Sequence, residues 1–246
     1  MRPLLFAANW KMHIAPDEAR AFAGRFLELV EARKDRDIWF FPGAVSIEAA
    51  AGAFKGREDI RVGAQDVYYE EKGAFTGATS VALAQGAGAT VALVGHSERR
   101  HVFGETDDDT RRKVRALLDA GMIPLLCVGE LLKEREEDET EKVVIRQLGA
   151  ACSTLSPDDL SRVVVAYEPV WAIGTGKNAT PSDAAAVHGV LREELESRGH
   201  RNPRILYGGS VNAANIAALL AEAELDGVLV GGASLKVEGW AALINR

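Results

Sequence analysis

Residues 163–177 read VVVAYEPVWAIGTGK. Three β-branched residues, Val163 to Val165, open a strand pattern that ends on a single carboxylate, Glu168. Pro169 has no backbone donor and stops the strand. From Ala172 to Gly176 small residues alternate with glycine, the composition expected of a hinged lid. Thr180 and Pro181 then supply an N-cap and a first helical residue, and Arg198-Gly199 marks the helix end. The stretch reads as one strand–loop–helix unit with a general base under a flap.

The same order repeats along the chain. Strand patterns cover 4–9, 37–41, 60–64, 90–95, 123–128, 162–168, 204–208 and 226–231, which makes eight. Helical patterns lie between them at 16–33, 46–54, 80–85, 107–120, 131–151, 181–198 and 213–222, with a last one at 235–244. The charge run KEREEDETEK (133–142) reads as a solvated helix face, because Val143, Val144 and Leu148 follow in helical register. Strict alternation implies parallel strands joined by right-handed crossovers. Eight such units in 246 residues match a (β/α)8 barrel forming one domain over 1–246. A doubly wound open sheet also alternates, but no G-x-G-x-x-G follows the first strand.

Composition excludes several classes. Apolar residues make up 47% and charged residues 26%, as in ordinary globular proteins. A net charge of −7 favours neither nucleic acid nor an anionic membrane as partner. No apolar run is long enough to span a bilayer, and the N-terminus lacks the pattern of a secretory leader. Cys127 and Cys152 are too few for a disulfide framework and wrongly spaced for zinc, so the cytoplasm is the expected compartment.

In a barrel the site forms beyond the C-terminal ends of the strands, and five of those ends carry chemistry. They are Asn9-Trp10-Lys11, the segment from Gly95 to Arg100 containing His96, Glu168, Gly208-Gly209-Ser210, and Gly231-Gly232-Ala233-Ser234. The two glycine-rich ends precede helical patterns and suit phosphate, although either alone could be no more than a tight turn. His96 sits where a helical turn begins, a setting that disfavours the imidazolium; a neutral ring can still polarise a carbonyl. Lys11 could supply fixed positive charge or act as a Schiff-base nucleophile. Glu98 could pair with Lys11 or cap its own turn, and Cys127 reads as a buried core thiol. The other histidines, His13, His101, His188 and His200, read as surface or packing residues. The set suits proton abstraction beside a carbonyl in a small phosphorylated substrate, with no cofactor and no metal.

These motifs resemble those of the triosephosphate isomerase family. The segments that carry the resemblance are NWKM (9–12), GAFTG (73–77), GHSERR (95–100), CVGE (127–130), AYEPVWAIGTGK (166–177), YGGSV (207–211) and LVGGASL (229–235). The resemblance implies catalysis by Glu168 as base, neutral His96 as electrophile and Lys11 as electrostatic stabiliser, with Asn9 shaping the pocket. It implies phosphate binding by the amides of Gly174, Ser210, Gly231 and Gly232, closure of Ile173 and Leu229 over the base, and Ser97 holding Glu168 while the lid is open. It also implies a homodimer in which the 73–77 loop, with Thr76, enters a partner near Asn9 and Lys11. The chain departs from the common pattern at Ala78, where the family often has Glu, and at Asp66, where Asn is common. Loss of the glutamate removes a carboxylate expected to pair across the interface with Arg99. Two other readings compete with the isomerase: a Schiff-base aldolase using Lys11, and a barrel that only binds phosphometabolites or a protein.

Overall fold

The computed structural model describes residues 2–173 and 179–246. Among the described residues eight strands, β1 (Leu4–Asn9), β2 (Arg36–Phe41), β3 (Ile60–Ala64), β4 (Val91–Val94), β5 (Ile123–Val128), β6 (Val164–Tyr167), β7 (Arg204–Tyr207) and β8 (Gly227–Val230), form a closed barrel in sequence order. Every pairing is parallel, and β1 closes against β8 through Leu5↔Gly227 to Ala8↔Val230. The barrel is therefore that of the (β/α)8 class, and the open sheet is excluded.

Helices α1 (Pro16–Leu29), α2 (Ile47–Ala53), α3 (Val81–Gly86), α4 (Ser97–His101), α5 (Asp107–Asp119), α6 (Leu132–Glu136), α7 (Thr140–Cys152), α8 (Pro157–Leu160), α9 (Pro181–Ser197), α10 (Ile216–Leu220) and α11 (Val237–Ile244) surround it. No helix among the described residues is long and apolar enough to cross a membrane.

The period-2 alternation of each strand divides the apolar residues into two cores. Leu5, Ala7, Trp39, Phe41, Leu93, Leu125, Cys127 and Leu206 fill the barrel interior, while Phe6, Ala8, Ile38 and Phe40 face the helix layer. On α1 the buried residues Ala19, Phe22, Ala23 and Phe26 form one stripe. Phe22 and Phe26 meet Trp10, Phe40 and Phe54, several edge to face at 4.9–6.0 Å. Each such pair contributes about 0.5–1.5 kcal/mol beyond area burial, which anchors the β1 end that leads to Lys11.

The helix expected over 131–151 is two helices. Asp138 adopts φ +55°, a left-handed turn that a short polar side chain tolerates, and α6 buries no residue. The charge run is thus a solvated helix, a turn and the start of α7. The expected helix at 213–222 begins only at Ile216, because the Asn212 side chain accepts the amides of Ala214 and Asn215 and holds a turn. Helix α1 stops at Leu29, short of Arg33. Helix α8 is additional; Ser156 caps it and Pro157 follows, the same signal as Thr180-Pro181.

Candidate active site

The C-terminal ends of β1, β4, β6, β7 and β8 converge on a cavity of about 290 Å³. Asn9, Lys11, His96, Glu168, Ile173, Ser210, Leu229, Gly231 and Gly232 all line it. Every strand end that carried chemistry in the sequence contributes. Of the expected site residues only Gly174 lies outside the described residues, as do Thr175 and Gly176 of the expected lid.

Glu168 leaves β6 with its backbone tied to the neighbouring strand, its N–H donating to the Val128 carbonyl at 2.8 Å. The side chain is almost fully buried. Oε1 lies 3.0 Å from His96 Nε2, and Oε2 accepts the Ser97 backbone N–H at 2.8 Å. Ser97 was expected to hold Glu168 while the lid is open; in this structure its backbone N–H, not its hydroxyl, donates to the carboxylate. The close approach is possible because glycines flank the carboxylate. A Cβ at Gly129 would stand 1.7 Å from the Glu168 carbonyl oxygen, and one at Gly208 would stand 2.8 Å from its Cγ.

His96 caps α4, and its Nδ1 accepts the Glu98 backbone N–H at 3.2 Å. An acceptor at Nδ1 puts the proton of the neutral ring on Nε2, facing Glu168 Oε1 and 3.1 Å from Asn9 Nδ2. Burial disfavours charge on both partners. For His96 the Glu168 carboxylate outweighs burial and moves the imidazole upward. For Glu168, burial is outweighed by His96, then by the Ser97 N–H and Lys11, and the carboxyl lies below its ordinary value. Each thus favours the charged form of the other.

Lys11 Nζ donates to Glu98 Oε1 at 2.6 Å. Pairing was one of two options for Glu98, and the structure selects it. Beside the Lys11 side chain, Gly231 leads into a 3-10 turn (Gly232–Ser234), whose first amides have no acceptor within the turn itself. Ser210 Oγ donates to the Ala172 carbonyl at 2.7 Å, joining the β7 loop to the base of the expected lid.

Glu130, which sequence reading passed over, anchors that base. Oε1 of this buried carboxylate accepts Tyr167 Oη–H at 3.0 Å and Trp171 Nε1–H at 2.7 Å. Burial moves its carboxyl upward against these bonds. The sequence signal was CVGE, in which the glutamate follows the glycine that clears room for Glu168. Cys127 is a core thiol, its pKa pushed far up by burial. His188 and His200 are buried packing residues, while His13 and His101 lie on the surface. Among the described residues no cluster of three His, Cys, Asp or Glu side chains could hold a metal ion.

The family model described as triosephosphate isomerase matches residues 4–246. Triosephosphate isomerases of Roseiflexus sp. and Caldanaerobacter subterraneus are each 43% identical to the chain over 249 residues. Those matches cover 100% of the chain and 98% and 100% of the relatives. The triosephosphate isomerase of Symbiobacterium thermophilum is 44% identical over 247 residues, covering 99% of the chain and 96% of the relative.

Proposed function

The chain belongs to the triosephosphate isomerase family, and on that premise we propose that it interconverts dihydroxyacetone phosphate and D-glyceraldehyde 3-phosphate through an enediolate, as one (β/α)8 domain without a cofactor. The observation that carries this reading is the opposition of Glu168 and His96, 3.0 Å apart, in the cavity that Lys11 and the glycine loops share.

Glu168 takes a proton from the hydroxyl-bearing carbon. The electron pair moves into the new C=C bond, and the carbonyl oxygen gains charge as His96 Nε2–H donates to it. The Lys11 ammonium stabilises the enediolate, and Asn9 shapes the wall beside it. The protonated Glu168 then returns its proton to the neighbouring carbon, while the hydroxyl proton passes by way of His96 from the first oxygen to the second, so that the old hydroxyl becomes the aldehyde carbonyl and the old carbonyl becomes a hydroxyl. In the resting arrangement His96 and the Ser97 N–H hold the carboxyl low. Once a substrate oxygen takes His96 Nε2 and Glu168 swings to carbon, those stabilising partners are lost and the base strengthens. Ile173 and the buried Leu229 line the same cavity and exclude water over the base. The amides of Ser210, Gly231 and Gly232, together with Gly174, hold the phosphate. The ion pair between Lys11 and Glu98 speaks against a Schiff-base aldolase, which needs a free amine.

A second copy of the chain is the proposed partner. Support comes from apolar side chains left in solvent: Met12, next to Lys11, is 96% exposed, Val45 80% and Phe103 66%. The 73–77 loop, with exposed Thr76, enters the partner near Asn9 and Lys11. Two unpaired buried cysteines fit a reducing compartment, the cytoplasm. A coupled assay for glyceraldehyde 3-phosphate, run on metal-free protein with dihydroxyacetone phosphate, tests the activity. Turnover is expected without additions; no turnover would reject the reading.

A further inference from the structure

Lys11 adopts φ +50°. A side chain makes this left-handed region costly, so the conformation persists only where its surroundings over-determine it. The restraint is visible on both sides of the residue. The Lys11 N–H donates to Asn9 Oδ1 at 3.0 Å, and the Lys11 carbonyl accepts from Gln65 Nε2 at 2.7 Å. The same Gln65 nitrogen donates to the Phe41 carbonyl at 2.8 Å, which also accepts the Trp10 N–H at 3.1 Å. Two carbonyls around one amide end require its nitrogen there, so both hydrogens of the NH₂ group are used.

Gln65 follows β3, Phe41 ends β2 and Lys11 follows β1. One primary amide therefore ties three adjacent strand ends. The strained turn sets the direction of the lysine side chain. It runs past Gly231, where a Cβ would stand 3.0 Å from Lys11 Cε and 3.7 Å from Nζ, and reaches Glu98. Support from the following residues is thin, since Met12 is 96% exposed and His13 is also exposed.

We propose that Gln65 is a positioning residue for the reaction: it holds the left-handed Lys11 backbone and so aims the ammonium across the cavity. This rests on the role proposed above for Lys11. Gln65→Leu keeps the bulk and removes both donors, while Gln65→Asn keeps the amide but is one methylene too short to reach both carbonyls.

The test is a double-mutant cycle on the full chain, reading kcat/KM for glyceraldehyde 3-phosphate and, separately, thermal stability and circular dichroism. Gln65→Leu should lower kcat/KM roughly 10- to 100-fold with the fold retained, the scale of an ångström's misplacement. Gln65→Asn should show a smaller loss of the same kind, and it carries the test if the leucine variant fails to fold. In a Lys11→Ala background either change should alter kcat/KM by less than about twofold, because the group being aimed is gone. An equal loss in both backgrounds would overturn the proposal, as would unchanged kcat/KM in the single variants. If Lys11→Ala alone left kcat/KM intact, the role given to Lys11 would fail first and the clamp would have nothing to position.

Discussion

Glu168 Oε1 and His96 Nε2 stand 3.0 Å apart at the ends of β6 and β4, and each moves the titration of the other. The Glu98 N–H aimed at His96 Nδ1 supports a ring that is neutral and protonated on Nε2. Glu168→Gln keeps the shape and removes the base, so kcat should fall at least ~10²–10⁴-fold. A variant with wild-type turnover would remove Glu168 from the mechanism. Nitrogen NMR of the imidazole provides the parallel check. With the site loaded by a substrate-like anion that displaces the carboxylate, the ring should be neutral at pH 7, and an imidazolium there would contradict its electrophilic role.

Most of the barrel was legible because short apolar runs alternate with helical patterns along the chain. Runs such as LLFAA (4–8), buried on both faces, marked the strands, and capped starts such as Thr180-Pro181 marked the helices. The reactive side chains were legible because each stood at a strand end, which only closure of the barrel could gather. What the residues did not reveal depends on contacts between distant segments. Asp138 breaks a run that looks helical, by a left-handed turn that propensity does not encode. Glu130 and Gln65 act on the site through hydrogen bonds to Trp171 and to the Lys11 carbonyl, and their sequence neighbourhoods carry no periodic signal.

Arg99, expected to lack a carboxylate across the interface because of Ala78, finds its carboxylates within its own chain. Its guanidinium lies 3.1 Å from Asp66 and 3.3 Å from Glu105, with its face over the Phe103 ring at 4.5 Å. Asp66 thus supplies in the chain a charge that Ala78 does not supply across the proposed interface. Exposed ion pairs contribute only ~0–1 kcal/mol, so assembly should rest on apolar contacts and survive high salt. Sedimentation in 1 M salt, on the order of ten times the ionic strength of a ~10 Å Debye length, should give twice the 26.4 kDa chain mass. Met12→Glu should give the single-chain mass; an unchanged mass would move the interface elsewhere.

Lys113 sits buried between Asp66 and Glu105, 2.6 Å from each. Glu105 in turn accepts the Gly95 N–H at 2.8 Å, one residue before His96. Lys113→Met would leave the buried Glu105 with the Gly95 N–H and, among the described residues, the longer Arg99 contact as its remaining ion pair. Removing one partner of a buried pair costs about 3–5 kcal/mol, so chemical denaturation should show a loss of that order. His96 should also shift, and a variant with wild-type stability and an unchanged His96 spectrum would show that the cluster supports neither.

His188 is fully buried, its Nδ1 3.2 Å from the Glu224 carbonyl, and its Nε2 has no hydrogen-bond partner among the described residues. Burial, the largest influence, pushes its pKa down to about 4 from the ordinary 6.5. A depressed folded-state pKa means that the unfolded chain binds the proton first. The stability from keeping His188 neutral is therefore whole above pH 6.5, declines as pH falls, and is spent near pH 4. A displacement of this size corresponds to about 3 kcal/mol across that window. His188→Gln removes the titration and should flatten this part of the stability-versus-pH curve, although it also lowers stability at pH 7 through imperfect packing. Denaturant midpoints of both proteins measured between pH 7 and pH 4.5 decide it. If the two curves fall in parallel, the acid sensitivity comes from other groups and His188 is only filling space.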